Sequence, residues 1–191
     1  MKTIETNRTI LRWFKPDDVE GALSFLGNSE VMRFSLSGPY DRKKCQEFVD
    51  WCLGRYELKG YGLFAVTLKE TKKIIGYCGF YDQKIDGCDE VELGYRLHPE
   101  FWNKGLGTEV ALSIQNYGFH KLGFPRLISI IEFENKASIR VAKKNGMKHE
   151  KHSMFKDQVP VEIYSIKKRR AYQVGAHNSE GRAPLRVRPR R

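Results

Sequence analysis

From Arg8 to Phe14 (RTILRWF) apolar and polar positions alternate, the period of two expected of a half-buried strand. Pro16-Asp17-Asp18 breaks that alternation and predicts a helix running to about Gly27, since proline suits a first turn and acids suit its positive end. A polar loop with Ser35, Ser37, Gly38 and Pro39 follows. The period then becomes helical. Cys45, Phe48, Val49, Cys52 and Tyr56 form one apolar stripe, with Asp41 as N-cap and Gly60 as the stop. Three strand-like runs come next, Gly62–Leu68, Ile74–Tyr81 and Val91–Leu97. Lys69–Lys73 joins the first two as a hairpin, and Asp82–Glu90 joins the others, with a turn signal at Asp86-Gly87. Beyond His98-Pro99, Leu106, Val110, Ile114 and Tyr117 mark a helix face, and Leu127–Ile131 is apolar throughout, as a buried central strand is. Asn135 caps a helix from Lys136 to Asn145 and Gly146 ends it; the runs Met147–Phe155 and Val161–Ile166 complete the pattern. The order β-α-α-β-β-β-α-β-α-β-β predicts an α/β (α+β) domain over residues 1–168, a mixed sheet with helices on its faces.

Composition agrees with a folded chain: 40% of the 191 residues are hydrophobic and 12% aromatic. No apolar run reaches the roughly 20 residues that cross a bilayer, and the first residues lack the apolar core of a signal peptide. The expectation is a cytoplasmic protein without a membrane partner. The net charge of +11 is unevenly placed. Residues 167–191 hold nine Lys/Arg against Glu180 alone, which leaves residues 1–166 at only +3. Residues 169–191 therefore predict a basic, disordered tail. Aromatics do not interleave with its charges beyond Tyr172, so nucleic acid is expected to engage the chain only through this tail. Cys45, Cys52, Cys78 and Cys88 form no C-x-x-C pair and have no histidine at metal-ligand spacing, so ordinary thiols and no metal are expected.

Asn103-Lys104-Gly105-Leu106-Gly107-Thr108 lies between a strand and a helix. Two glycines there let backbone N–H groups approach a ligand, the helix adds the positive end of its dipole, and Lys104 adds a full charge. That combination suits a phosphate or diphosphate. The P-loop pattern is absent, and Val110 replaces the third glycine of the dinucleotide fingerprint. A tight turn into a helix is the plain alternative.

The surrounding residues favour the phosphate reading. Val91-Glu-Leu-Gly-Tyr-Arg-Leu-His-Pro-Glu-Phe-Trp-Asn-Lys-Gly-Leu-Gly-Thr-Glu resembles the central motif of the GNAT N-acetyltransferase superfamily, in the branch of the ribosomal-protein N-terminal alanine acetyltransferases. Asn135-Lys-Ala-Ser138-Ile-Arg-Val-Ala-Lys-Lys-Asn-Gly146-Met147 is similar to a second helix of that branch. The resemblance covers about residues 5–168. It implies a mostly antiparallel central sheet with a splayed strand, and acetyl-CoA as co-substrate without a metal. Leu93, Gly94, Tyr95, Arg96 and Leu97 would pair with the pantetheine arm, Asn103 to Thr108 would hold the diphosphate, and Asn135 and Ser138 would contact the thioester region. Phe34, Ser35 and Tyr40 would line the acceptor pocket.

The implied reaction is acetyl transfer to a primary amine, of a protein N-terminus or a small molecule. Glu92 is the candidate base, against the alternative of an outward-facing surface acid. Backbone N–H groups near Leu93 to Tyr95 would stabilise the oxyanion. The family's frequent tyrosine acid falls on Ala142, so Ser138 takes that candidacy, with Tyr164 in reserve. Lys143 and Lys144 either meet phosphates or form a solvated helix face. Trp102 is expected to pack under the loop, and His98, His149 and His152 receive no role. Alternatives from other classes are an RNA- or ribosome-associated protein using the tail, and a non-catalytic acyl-CoA-binding domain. A homodimer also remains open.

Overall fold

The computed structural model describes residues 3–168; the expected basic tail from residue 169 onward lies outside the described residues. Thr9–Trp13 (β2) realises the first alternation, and a strand of three residues, Thr3–Glu5 (β1), precedes it. Three residues are too few for a period to show. Pro16–Asp18 forms a 3-10 turn rather than the start of an α-helix, and the helix proper is Val19–Leu26 (α1). Asp18 fixes that turn: its carboxylate accepts from the Lys15 amide at 2.7 Å and from Arg12 at 2.6 and 2.8 Å.

Arg42–Lys59 (α2) begins where Asp41 Oδ1 accepts from the Lys44 amide at 2.8 Å, and it ends at Gly60, whose φ of 70° favours glycine. Leu63–Leu68 (β3), Ile74–Ile85 (β4) and Cys88–Leu97 (β5) follow. The stretch Asp82–Glu90, expected as a connection, is instead mostly the outer arm of the β4–β5 hairpin. Only Asp86-Gly87 turns, with φ of 49° and 79° as a tight hairpin requires. Leu106–His120 (α3), Arg126–Glu132 (β6), Lys136–Lys144 (α4), Lys148–Phe155 (β7) and Val159–Lys167 (β8) complete the chain.

The eight strands form one sheet in the order β1-β2-β3-β4-β5-β6-β8-β7, antiparallel at each junction except β5–β6. The period of two sorts its side chains between two layers. Leu63, Ala65 and Tyr77 pack with α1 and α2, among Phe25, Leu26, Val49 and Tyr56. Phe64, Val66, Cys78 and Phe80 pack with α3 and α4, among Val110, Ile114 and Ile139. Both faces of the central strands are thus covered, which is why β3 reads as a continuous apolar run. On β5 the same rule sends Leu93, Tyr95 and Leu97 toward α3, and Glu92, Gly94 and Arg96 toward α1 and α2.

Candidate active site

The parallel junction between β5 and β6 has a single rung, Glu92 with Ile128. Beyond it the strands part. The His98 amide donates toward β4, to the Ile75 carbonyl at 2.8 Å, so by alternation Leu97, Tyr95 and Leu93 aim their backbone groups the other way. Two of these carbonyls find side chains: Leu93 O accepts from Ser129 Oγ at 2.8 Å and Leu97 O from Trp102 Nε1 at 2.6 Å. The Tyr95 amide and carbonyl, between them, face the gap with no rung to meet them. The gap opens into a cavity of about 1070 Å³ lined from both faces of the sheet.

On the α3 face the glycine loop forms one wall. Asn103 and Gly105 adopt φ of 57° and 77°, and Asn103, Gly105, Gly107 and Thr108 line the cavity. Arg8 clamps this loop from the sheet. Its guanidinium donates to the Lys104 carbonyl at 2.9 Å and to Glu109 Oε2 at 2.8 Å. Burial opposes ionisation of Glu109, yet hydrogen bonds from Thr6 and Arg8 hold its pKa below the usual carboxylate range. The Lys104 ammonium lies 5.8 Å from the centroid of the Phe101 ring, which lines the cavity, and the side chain of Leu106, the first residue of α3, is buried in the core. Trp102 does not pack under the loop as expected; the residue is 41% exposed and lines the cavity.

Asn135 and Ser138 border the same side. Asn135 Oδ1 accepts from the Ser138 amide at 3.1 Å, so its oxygen serves as the helix cap. The Tyr95 hydroxyl lies 3.5 Å from the Ser138 carbonyl. Lys144 lines the cavity and Lys143 does not. Tyr164, the reserve acid, is 3% exposed, donates to Glu162 at 3.1 Å and stays off the cavity.

The α1/α2 face holds Phe34, Ser35 and Tyr40 together with residues that the motifs did not point to. Glu92 is half-buried on the cavity wall, so the alternative of an outward surface acid fails. It accepts from Gln83 Nε2 at 2.7 Å and from the Ile130 amide, while burial, the largest influence, raises its pKa. Gln83 stands on the outer hairpin arm, a segment whose polar sequence suggested a loop. Tyr81 donates to the Tyr77 hydroxyl at 3.0 Å, and Arg96 Nε donates to that same oxygen at 2.9 Å. Gly94 permits this arrangement: a Cβ there would stand 3.0 Å from the Tyr81 ring.

Comparison with known proteins gives one consistent result. Residues 8–148 match the family model described as the acetyltransferase (GNAT) domain. The chain is 32% identical over 157 residues to the uncharacterized N-acetyltransferase YnaD of Bacillus subtilis, covering 82% of this chain and 88% of that protein. A GNAT-family acetyltransferase structure from Bacillus anthracis superposes with a TM-score of 0.73 at 25% identity, over 87% of this chain and 99% of that one. The ribosomal alpha-N-protein acetyltransferase RimL, solved with coenzyme A, shares the fold with a TM-score of 0.70 at 17% identity, over 87% and 98% of the chains.

Proposed function

Because the chain belongs to the GNAT acetyltransferase family, we propose that it moves an acetyl group from acetyl-CoA to a primary amine by direct attack in a ternary complex. The observation that carries this is the gap between β5 and β6, whose unpaired backbone edge crosses a cavity open to both faces of the sheet. An extended amide-bearing arm suits the free edge at Tyr95, and a diphosphate suits the turned amides of Asn103–Thr108. Acetyl-CoA, as substrate, supplies the activated acyl carbon there.

The amine enters from the opposite face, where Glu92 stands. It arrives as an ammonium and has no lone pair until it loses a proton. Glu92 takes that proton through a water, and its raised pKa brings it nearer to a working base. As nitrogen adds to the acetyl carbon, charge grows on the carbonyl oxygen, and the Tyr95 amide is placed to donate to it. A preorganised donor of this kind is worth about 3 kcal/mol. Ser138 faces the cavity from the coenzyme side, where its hydroxyl donates to the departing sulfur.

Release of free thiol from acetyl-CoA across a panel of primary amines tests the assignment. Amine-dependent release is expected. If acetyl-CoA binds yet no amine elicits thiol, the roles of Glu92 and Ser138 are wrong.

A further inference from the structure

Among the described residues, the acceptor side of the cavity contains a cation that no carboxylate contacts. Arg96 is half-buried, and its guanidinium remains charged at any working pH. Nε donates to the Tyr77 hydroxyl at 2.9 Å, and Nη1 donates to the Val31 carbonyl at 2.9 Å and lies 3.4 Å from Met32 Sδ. These partners are all neutral. Among the described residues no carboxylate comes within ion-pair distance of Arg96, and Nη2 has no hydrogen-bond acceptor. Nor is Nη2 sealed in the core as an orphan, because Arg96 lines the cavity.

The acids nearby are otherwise engaged. Asp82 accepts from Arg55 at 2.8 Å and from Tyr61 at 2.5 Å. Glu92 is held by Gln83 and the Ile130 amide; the Arg96 charge acts on it through space without an ion pair. Glu30 and Glu47 sit at the exposed rim, with Lys44 beside them. Proteins rarely hold a guanidinium out of water without an anionic partner, because desolvation then goes uncompensated. Here one nitrogen of the fork is left open toward the place where the acceptor must sit.

We propose that the natural acceptor is an amine that also carries an oxyanion group, a carboxylate or a phosphate, and that Arg96 Nη2 binds this group. The assignment rests on acetyl transfer occurring on this face of β5. Glu92 and Arg96 project from the same side of that strand with only Gly94 between them, so one receives the ammonium end while the other receives the anion. The Trp51 and Tyr81 rings, stacked with centroids 5.7 Å apart, offer an apolar wall for the body of the molecule. An acceptor without an anion would leave the guanidinium desolvated and unpaired, so the site discriminates against it.

The test uses the full chain and matched acceptors: amino acids against their carboxamides, and O-phosphoethanolamine against ethanolamine. Steady-state rates are measured for the unaltered protein, Arg96→Met and Arg96→Lys. At least one anionic acceptor should exceed its neutral partner in kcat/KM by about 10- to 100-fold, chiefly through KM. Which pair shows the gap tells carboxylate from phosphate. Arg96→Met should collapse the ratio to near one, and Arg96→Lys should retain part of it. Circular dichroism and thermal melting show whether each variant is folded. Equal or better use of the neutral partners by the unaltered protein overturns the proposal, as does a gap that survives in Arg96→Met. If no amine turns over, the transfer reaction itself is in error. Calorimetric titration of the same acids and amides into coenzyme A-saturated protein then decides the anion site alone: selective binding lost in Arg96→Met supports it, and absence of selective binding refutes it.

Discussion

A carboxylate is a stronger base the higher its pKa, and the surroundings of Glu92, the proposed base, push it that way. Burial raises its pKa, while Gln83 and the Ile130 amide orient the oxygens and partly offset that rise. Replacing Glu92 with Gln keeps the shape and removes the base, so kcat should fall about 100-fold or more with acetyl-CoA affinity retained. The sign of the pH dependence follows. The base must be ionised, and its pKa lies above the ordinary 4.5, so kcat/KM should climb with pH through a limb above that value. The limb should vanish in Glu92→Gln, which a pH–rate profile checks. Ser138→Ala should lower kcat more than it weakens acetyl-CoA, read by comparing turnover with calorimetric affinity. Glu92 and Ser138 became candidates in the sequence because they stand inside recognisable motifs. Arg8, Gln83 and the Arg96 side chain could not. Their partners lie 101, 9 and 65 residues away in the chain, and local pattern carries no record of such pairs.

At the scale of elements, the helices and strands were legible where burial imposes a period, and the outer β4–β5 arm was not. There polar residues occupy both faces of the ribbon, so alternation is lost although the ladder continues to Ile85 and Cys88. The parting of β5 from β6 was equally hidden from local pattern; it came only through family resemblance, because strand pairing is settled by tertiary packing. Close backbone approach marks the β3–β4 junction. A Cβ on Gly79 would lie 2.3 Å from the Gly62 carbonyl oxygen and 2.6 Å from Leu63 Cα, both backbone atoms, with no flexible side chain to yield. Gly79→Ala should therefore destabilise the fold by about 1–3 kcal/mol in chemical denaturation. Tyr56 tests the α2 contact independently. Its hydroxyl accepts from the Phe14 amide at 3.0 Å and donates to the Leu63 carbonyl, both buried. Tyr56→Phe leaves those groups unpaired and should cost about 1–3 kcal/mol in the same assay.

Across the whole molecule, charge and chemistry lie in different places. Most of the excess positive charge falls beyond residue 166, whereas the cleft is formed within residues 3–168. Deleting residues 171–191 should preserve acetyl-CoA turnover, and loss of turnover would place the tail in the reaction. The folded part carries its own pH dependence at the sheet junction. Arg126 donates to Glu150 at 2.7 and 2.9 Å and pairs with Glu90, and these bonds lower the Glu150 pKa to about 2. A depressed carboxylate pKa stabilises the fold above the ordinary value of 4.5 and ceases to do so as pH falls toward 2. The urea midpoint should drop across that window, and less steeply in Glu150→Gln. The central claim is that amides turned outward at Gly105, beside the open strand edge, bind the diphosphate of the coenzyme. Isothermal titration of acetyl-CoA tests it most directly, using the unaltered protein and Gly105→Asp, which sets a carboxylate against the phosphates at a backbone φ of 77°. One saturable site in the former and none in a folded variant is the predicted result; no heat in the unaltered protein, or undiminished binding in Gly105→Asp, would contradict it.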